Sequence, residues 1–500
     1  MRLHATSTAT RTVTTTPPSR WSAQWSERWS ARQPAQWPGL YLGAAGDGWA
    51  WAGAEQSVLV LGPSRSGKTS SLVVPNVLAA PGAVVSTSTK PDVLQATATA
   101  RSARGWTFLY DPSGTVDPPS GVHRIGWSPV NNGDRWDGAL ATADAMVRTA
   151  HAVRSSAAVT ATAGDHWSER AVALLAPLLH AAALDRRSMA TVLHWVDRHD
   201  GADALAVLGD RGPETGPATD LLAGILTTDG REQSGIWSTA SGALAAYRSA
   251  PALSSTEPPF LDADAFCDGP GTLYVCATGR AQQLLAPLVV GMLGDVRDAA
   301  YRRAAAGRRT PPVVLALDEA ANISPIPDLP QLVTEGAGQG LLALTCLQDL
   351  SQARARWGRH GDAFLSLFGT TLVLPGIADL PTLDALSALA GEVEVPTRTV
   401  ARGPGRWAVP STTVSTTFRR RLAVDDIARG ADGAALAVDA RNRIGWVGLT
   451  PAYRCQPWRD LLAPDRGREP AMAPDRGREP AVAPDRTRTP AVAPDRGRER

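Results

Sequence analysis

The stretch Gly62-Pro-Ser-Arg-Ser-Gly-Lys-Thr69 constrains this chain more than any other. It follows the apolar run Ser57-Val-Leu-Val-Leu61 and precedes a segment with helical patterning. Strand, glycine-rich turn and helix start, in that order, make a phosphate-binding P-loop. Gly62 and Gly67 permit a tight backbone path, so the loop Gly62, Pro63, Ser64, Arg65, Ser66, Gly67, Lys68, Thr69 and Ser70, whose residues other than Pro63 each carry an N–H, can close around an anion at a helix N-terminus. Lys68 is placed to reach the β- and γ-phosphates of a nucleoside triphosphate such as ATP, and the Thr69 hydroxyl to ligate Mg²⁺.

Basic residue usage sharpens this reading. Of 50 basic side chains only Lys68 and Lys90 are lysine, and the rest are arginine. So strong a bias keeps lysine where a compact ammonium does what a planar guanidinium cannot.

The 500 residues, 43% of them hydrophobic, are enough for two or three domains with a large core. A net charge of +2 excludes a global basic field, so contact with DNA has to come from local loops or from oligomerisation that concentrates charge. Cys267, Cys276, Cys346 and Cys455 are far apart and read as free thiols, with Cys276 and Cys346 in apolar strand-like runs. The longest apolar run, Ala171 to Leu184, is too short to span a bilayer, and Met1 to Thr16 lacks the apolar core of a signal peptide, which predicts a cytoplasmic chain.

Residues 1–37 read as a disordered arm. Within it Trp21, Trp25 and Trp29, with Arg28 and Arg32, would share one helical face, so an interfacial membrane helix is the alternative to a low-complexity arm. A hairpin is expected from Gly39-Leu-Tyr-Leu-Gly43 to Trp49 and Trp51. Strands are expected at 82–88 and 106–111, ending near Lys90 and Asp111, where open α/β sheets place ligands. Residues 38–133 thus form the first half of an α/β domain with a mostly parallel sheet. Residues 134–250 are Ala-rich at helical spacing, with a loop-rich stretch at 201–219, and predict an all-α insertion. His166, Trp167, His194 and Trp195 in this region read as packing or surface groups.

The sheet resumes over 251–462, with strands at 271–277, 311–317, 341–347 and 370–374 and helices at 282–306 and 381–390. Residues 463–500 repeat the decapeptide A-P-D-R-G-R-E-P-A-M/V and predict an extended tail.

Val313 to Leu317 followed by Asp318-Glu319 has the form of a Walker B strand. Asp318 is expected in the Mg²⁺ shell and Glu319 to polarise the attacking water. Gln348, ending the adjacent strand, is placed to sense the γ-phosphate or orient water.

The P-loop, S-T-S-T-K-P-D at 86–92, L-D-E-A-A-N-I-S-P-I-P-D-L-P at 317–330, E-G-A-G-Q-G-L-L-A-L-T-C-L-Q-D-L-S-Q at 335–352 and R-W-G at 356–358 together resemble the TraG/TraD-type coupling proteins of conjugative type IV secretion, in their actinobacterial branch. The likeness spans about residues 39–460 and includes a TraM-recognition-type C-terminal part. It implies a RecA-like P-loop ATPase with an inserted all-α domain, assembled as a homo-hexamer. Such a ring passes a relaxase-bound DNA, or a secreted protein, to channel components in the membrane. Lys68 and Thr69 match the family's nucleotide-binding pair, Asp318 and Glu319 its Walker B pair, and Gln348 its glutamine. The transmembrane helices of many members have no counterpart here, so any membrane contact would run through partners or the Trp/Arg arm at the inner face. Where some members carry an arginine finger this chain has Ala337, leaving Arg280 and Arg354 as candidates for a trans-acting arginine.

A motor ATPase is the leading expectation. A nucleotide-gated recruitment protein without translocation and an FtsK-like DNA translocase are the alternatives.

Overall fold

Unbroken apolar strands are stable only where both faces of a sheet are covered. The structure, a computed structural model, describes residues 37–45, 48–154, 161–278, 282–401 and 411–462, all within the compact unit Met1–Ala463. The Trp21, Trp25 and Trp29 pattern, Arg280 and the decapeptide repeat lie outside the described residues.

Among the described residues fourteen strands occur in chain order. They are β1 Tyr41–Ala45, β2 Gly48–Trp51, β3 Val58–Leu61, β4 Val84–Ser88, β5 Thr107–Tyr110, β6 His123–Arg124, β7 Thr272–Cys276, β8 Val313–Leu317, β9 Leu341–Leu347, β10 Thr370–Val373, β11 Glu392–Ala401, β12 Ser411–Arg420, β13 Ala434–Asp439 and β14 Ile444–Gly448. Twelve build one sheet in the order β2-β1-β14-β13-β10-β3-β9-β8-β4-β7-β5-β6. From β10 to β6 all neighbours are parallel, and from β10 to β2 all are antiparallel.

Side-chain alternation sorts these strands onto two cores. Leu59, Leu61, Leu315 and Leu317 face a cluster shared with the helices after β6, while Val58, Val60, Val314 and Ala316 face a second cluster with Leu72, Val77 and Leu78 of the P-loop helix. Cys276 and Cys346 are buried in β7 and β9, and all four cysteines are free.

Between β6 and β7 the described chain is helical, with principal helices at Trp136–Arg154, Ala161–Leu184, Met189–Arg198, Gly216–Leu226 and Gly230–Ala243. The loop expected over 201–219 is corrected in part, because Ala202–Asp210 forms a helix with Ala204 and Leu208 in the core. The glycines and prolines that suggested a loop fall mainly at 209–217, where that helix ends and the next begins. Trp195 is buried, whereas His166 and His194 are exposed. The strands β13 and β14 and the separate β11–β12 ribbon carried no sequence expectation.

The buried Arg101 and the half-buried Asp295 tie strand connections and helices together. Arg101 is fully buried without a carboxylate partner, and donates to Thr272 Oγ1 (2.6 Å) and to the carbonyls of Ala80, Gly82, Pro270 and Gly271 (2.8 to 3.2 Å). These bonds join the turns that enter β4 and β7, and burial pushes the guanidinium down to about 10. Asp295, on the long helix Gln282–Ala305, accepts from Trp127 Nε1 (2.7 Å) and from the amide of Asn132.

Burial raises the Asp295 carboxyl to about 6 despite both hydrogen bonds. Its folded pKa therefore lies above its unfolded value, so its contribution to stability is complete below pH ~4 and is lost as pH rises through ~6. Against the non-titrating Asp295→Asn variant, the wild-type advantage in urea unfolding is expected to shrink between pH 4 and 7 by up to about 3 kcal/mol, at about 1.4 kcal/mol per pKa unit. A pH-independent gap between the two proteins would contradict this assignment.

Candidate nucleotide site

Parallel register brings four strand ends to one edge. Leu61 of β3 stands beside Leu347 of β9, Thr345 of β9 beside Leu317 of β8, and Leu317 beside Thr87 of β4. The residues following these ends are the P-loop, Gln348, the Asp318-Glu319 pair and the Thr89-Lys90-Pro91-Asp92 turn.

The loop shows why its glycines are needed. Gly67 has φ +93°, and a Cβ on Gly62 would stand 2.9 Å from both Ser66 Oγ and Leu374 Cβ. Arg65 also takes a left-handed conformation, with φ 65°. The helix after the loop opens with a wide π turn over Thr69–Val73, in which the Val74 N–H donates to Thr69 O, and continues as the α-helix Val74–Ala79. The Lys68 ammonium is folded back onto the loop, donating to Gly62 O and to Pro63 O (2.8 Å).

Asp318, distant in sequence, meets this loop directly. Thr69 Oγ1 donates to Asp318 Oδ2 at 2.6 Å, across 249 residues of chain. Asp318 is buried, and its own N–H donates to Thr87 O of β4 (3.2 Å). Burial lifts its carboxyl to about 6, the Thr69 hydroxyl and Lys68 oppose the shift, and Asp92 and Glu319 reinforce it.

Glu319 takes a left-handed conformation (φ 52°, ψ 48°) that a glutamate rarely adopts, and its carboxylate accepts from Asn322 Nδ2 (3.2 Å). Strain of this kind at a strand end beside an anion loop points to a functional group held in place by its surroundings. Gln348 approaches the loop with its Nε2 3.5 Å from Ser64 Oγ, and its N–H donates to Gln352 Oε1 (2.9 Å).

A cavity of about 480 Å³ lies over this edge. Its lining combines the loop residues Ser64 to Ser70 and the charged Lys90, Asp92, Asp318 and Glu319 with the less polar Val74, Ala96, Ala452, Tyr453 and Leu462. Gly62, Pro63 and Gln348 stand behind or beside the lining, and Gly62 and Pro63 contribute the carbonyls that hold Lys68.

Asp111 takes another part. Its buried carboxylate accepts from the N–H groups of Ser113 (2.9 Å) and Val116 (2.7 Å) and folds the turn after β5. Arg354 is paired with Asp379 (2.7 Å). Ala337 sits in the turn Gly336–Gln339 before β9. Tyr453 and Leu462 escaped sequence reasoning because nothing local marks a residue that reaches the P-loop from nearly 400 positions downstream. Among the described residues no group of three or more His, Cys, Asp or Glu side chains is placed to hold a metal on its own, and no helix is long and apolar enough to cross a membrane.

Comparison with known proteins agrees with this geometry. The plasmid coupling protein TrwB in complex with the non-hydrolysable ATP analogue ADPNP superposes with a TM-score of 0.60 at 19% identity, covering 85% of this chain and 91% of that one. TrwB in complex with ADP and Mg²⁺ gives 0.59 at 20% identity over 79% and 85% of the two chains. The unbound form of the conjugative coupling protein TrwB lacking 70 N-terminal residues gives 0.58 at 20% identity, over the same shares. At such identities the likeness establishes a common fold. No curated protein matches the chain. The model of the family described as type IV secretory system conjugative DNA transfer matches residues 24–429, and the chain belongs to that family.

Proposed function

We propose that this protein is the ATP-hydrolysing coupling component of a conjugative type IV secretion system. It would recruit a relaxase-bound DNA, or a secreted protein, and deliver it to the channel. The observation that carries the reading is the contact between Thr69 and Asp318 beside a cavity lined by both polar and apolar residues. A triphosphate suits the loop backbone and Lys68 in that lining, and a nucleoside suits residues such as Val74 and Tyr453.

The Thr69 hydroxyl and the Asp318 carboxylate are the groups that would hold Mg²⁺, which supplies charge neutralisation on the β- and γ-phosphates. Lys68 would exchange its two carbonyl partners for phosphate oxygens. Glu319, held by Asn322, would orient a water and accept its proton, and Gln348 would contact the γ-phosphate side from beside Ser64.

Assembly as a homo-hexamer accounts for DNA handling by a chain of net charge +2, because six copies of a modest basic loop would line one channel. The likeness to TrwB and the family membership support this reading. A recruitment protein that hydrolyses slowly is the second reading. It is favoured by Ala337 before β9 and by the pairing of Arg354 with Asp379.

Steady-state ATPase activity measured against protein concentration, with and without single-stranded DNA, separates the two. The motor reading expects turnover that rises cooperatively, is stimulated by DNA and falls about 100-fold or more in Glu319→Gln. Flat turnover indifferent to DNA, with nucleotide binding intact, would favour recruitment. If the nucleoside packs on Tyr453, Tyr453→Ala should raise KM for ATP about tenfold with kcat nearly unchanged. An unchanged KM would remove Tyr453 from the site.

A further inference from the structure

Only two of the chain's 50 basic residues are lysine, and both line the same cavity. With Lys68 fixed by the P-loop, a second lysine scattered at random over the other basic positions would reach this cavity about once in 25. The placement of Lys90 therefore calls for a chemical reason.

Its surroundings supply one. Lys90 follows β4, whose Thr87 pairs with Leu317 of β8 and accepts the Asp318 N–H, so Lys90 and the Asp318-Glu319 pair extend from neighbouring strand ends. The Lys90 side chain is exposed to the cavity, and its ammonium forms no hydrogen bond or ion pair among the described residues. Its backbone is fixed, since the Lys90 N–H donates to Ser88 Oγ (3.2 Å). Asp92, two residues on, senses the Lys90 charge and is itself engaged with the N–H of Val93 (2.9 Å) and the Ser88 hydroxyl (3.4 Å).

Arg101 and Arg354, by comparison, are cations already engaged, one with carbonyls and the other with a carboxylate. A flexible ammonium facing a polar cavity and lacking a partner is the opposite arrangement. It fits an anion that arrives with a ligand.

Resting on the nucleotide-site reading, we propose that Lys90 is a second phosphate-binding lysine, which contacts the γ-phosphoryl group of a nucleoside triphosphate bound in the same subunit. The terminal phosphate would lie beside Lys68 and the Thr69–Asp318 pair, and Lys90 lines the same cavity from the strand end next to Asp318. A lysine suits the task, since its point charge can follow one tetrahedral oxygen without the fixed planar fork of arginine. Lys90 would thereby distinguish the triphosphate from the diphosphate.

Isothermal titration of the full chain with ATPγS and with ADP, at fixed Mg²⁺, tests this. Lys90→Ala is expected to weaken ATPγS binding about tenfold or more and ADP binding less than twofold, the size of one charge-assisted hydrogen bond. Retained ADP affinity in the variant shows that the site is folded. Equal losses for both nucleotides, or no loss for either, would overturn the assignment of Lys90. A wild-type chain that binds neither nucleotide would instead overturn the nucleotide-site reading itself.

Discussion

Parallel pairing of β3, β9, β8 and β4 is the constraint on which the rest of the site depends. Parallel strands carry all their C-terminal ends to one edge, and a sheet covered on both faces admits few polar residues before that edge. The apolar runs Val58–Leu61, Val313–Leu317 and Leu341–Leu347 are buried throughout, with Thr345 the one polar exception. While β4 already turns polar at the buried Ser86, Thr87 and Ser88, along these three runs the chain changes from apolar to polar where the strands stop. There it delivers the P-loop, Asp318-Glu319, Gln348 and Lys90 side by side. The 2.6 Å bond between Thr69 and Asp318 is the consequence, and it closes a loop of chain that includes the entire helical region.

Arginine and lysine divide the cationic work. Arg101 satisfies carbonyls at the turns into β4 and β7, Arg303 does the same for Thr310 (3.0 Å) and Pro311 (2.9 Å) before β8, and Arg356 for Ala321 (2.8 Å) beyond it. A planar fork with several donors suits such clusters of carbonyls, which a single ammonium could not span. Lys68 and Lys90, by contrast, both face the cavity.

The parts of the fold legible in the sequence are those whose physics is local. The P-loop needs its glycines within a few residues of each other, and the parallel strands announce themselves as uninterrupted apolar runs bounded by turns. β13 and β14 were not legible because they are short antiparallel strands, and Trp446 and Gly445 on β14 are exposed, so no strong pattern separates them from loop. The β11–β12 ribbon shows outward residues such as Glu394 and Phe418 in register with each other, which reads in sequence as an ordinary polar stretch. The helix Ala202–Asp210 was hidden by the glycine and proline cluster at its end. In the site, Thr69, Asp318 and the lysines were visible as residue types in the right order, but the approach of Tyr453 and Leu462 depends on where a distant segment packs.

The R-W-G triplet shows how a short motif gains meaning only in three dimensions. Trp357 is buried and its Nε1 donates to Ile326 O (2.7 Å), while Arg356 donates to Ala321 O (2.8 Å) and to Ala152 O (3.1 Å). Ala321 lies two residues after Glu319, in the short helix Ala320–Ile323, and Ala152 lies in the last turn of the helix Trp136–Arg154. One guanidinium thus holds the backbone that follows the strained Glu319 and the C-terminal end of a helix from the all-helical region. Burial lowers the Arg356 pKa, but a guanidinium remains charged at neutral pH, so the node persists as a charge-assisted one. The loop carrying Glu319 cannot shift relative to that helix without breaking these bonds or taking the helix end with it. The helical region and the Walker B loop are in this way parts of one hydrogen-bonded frame.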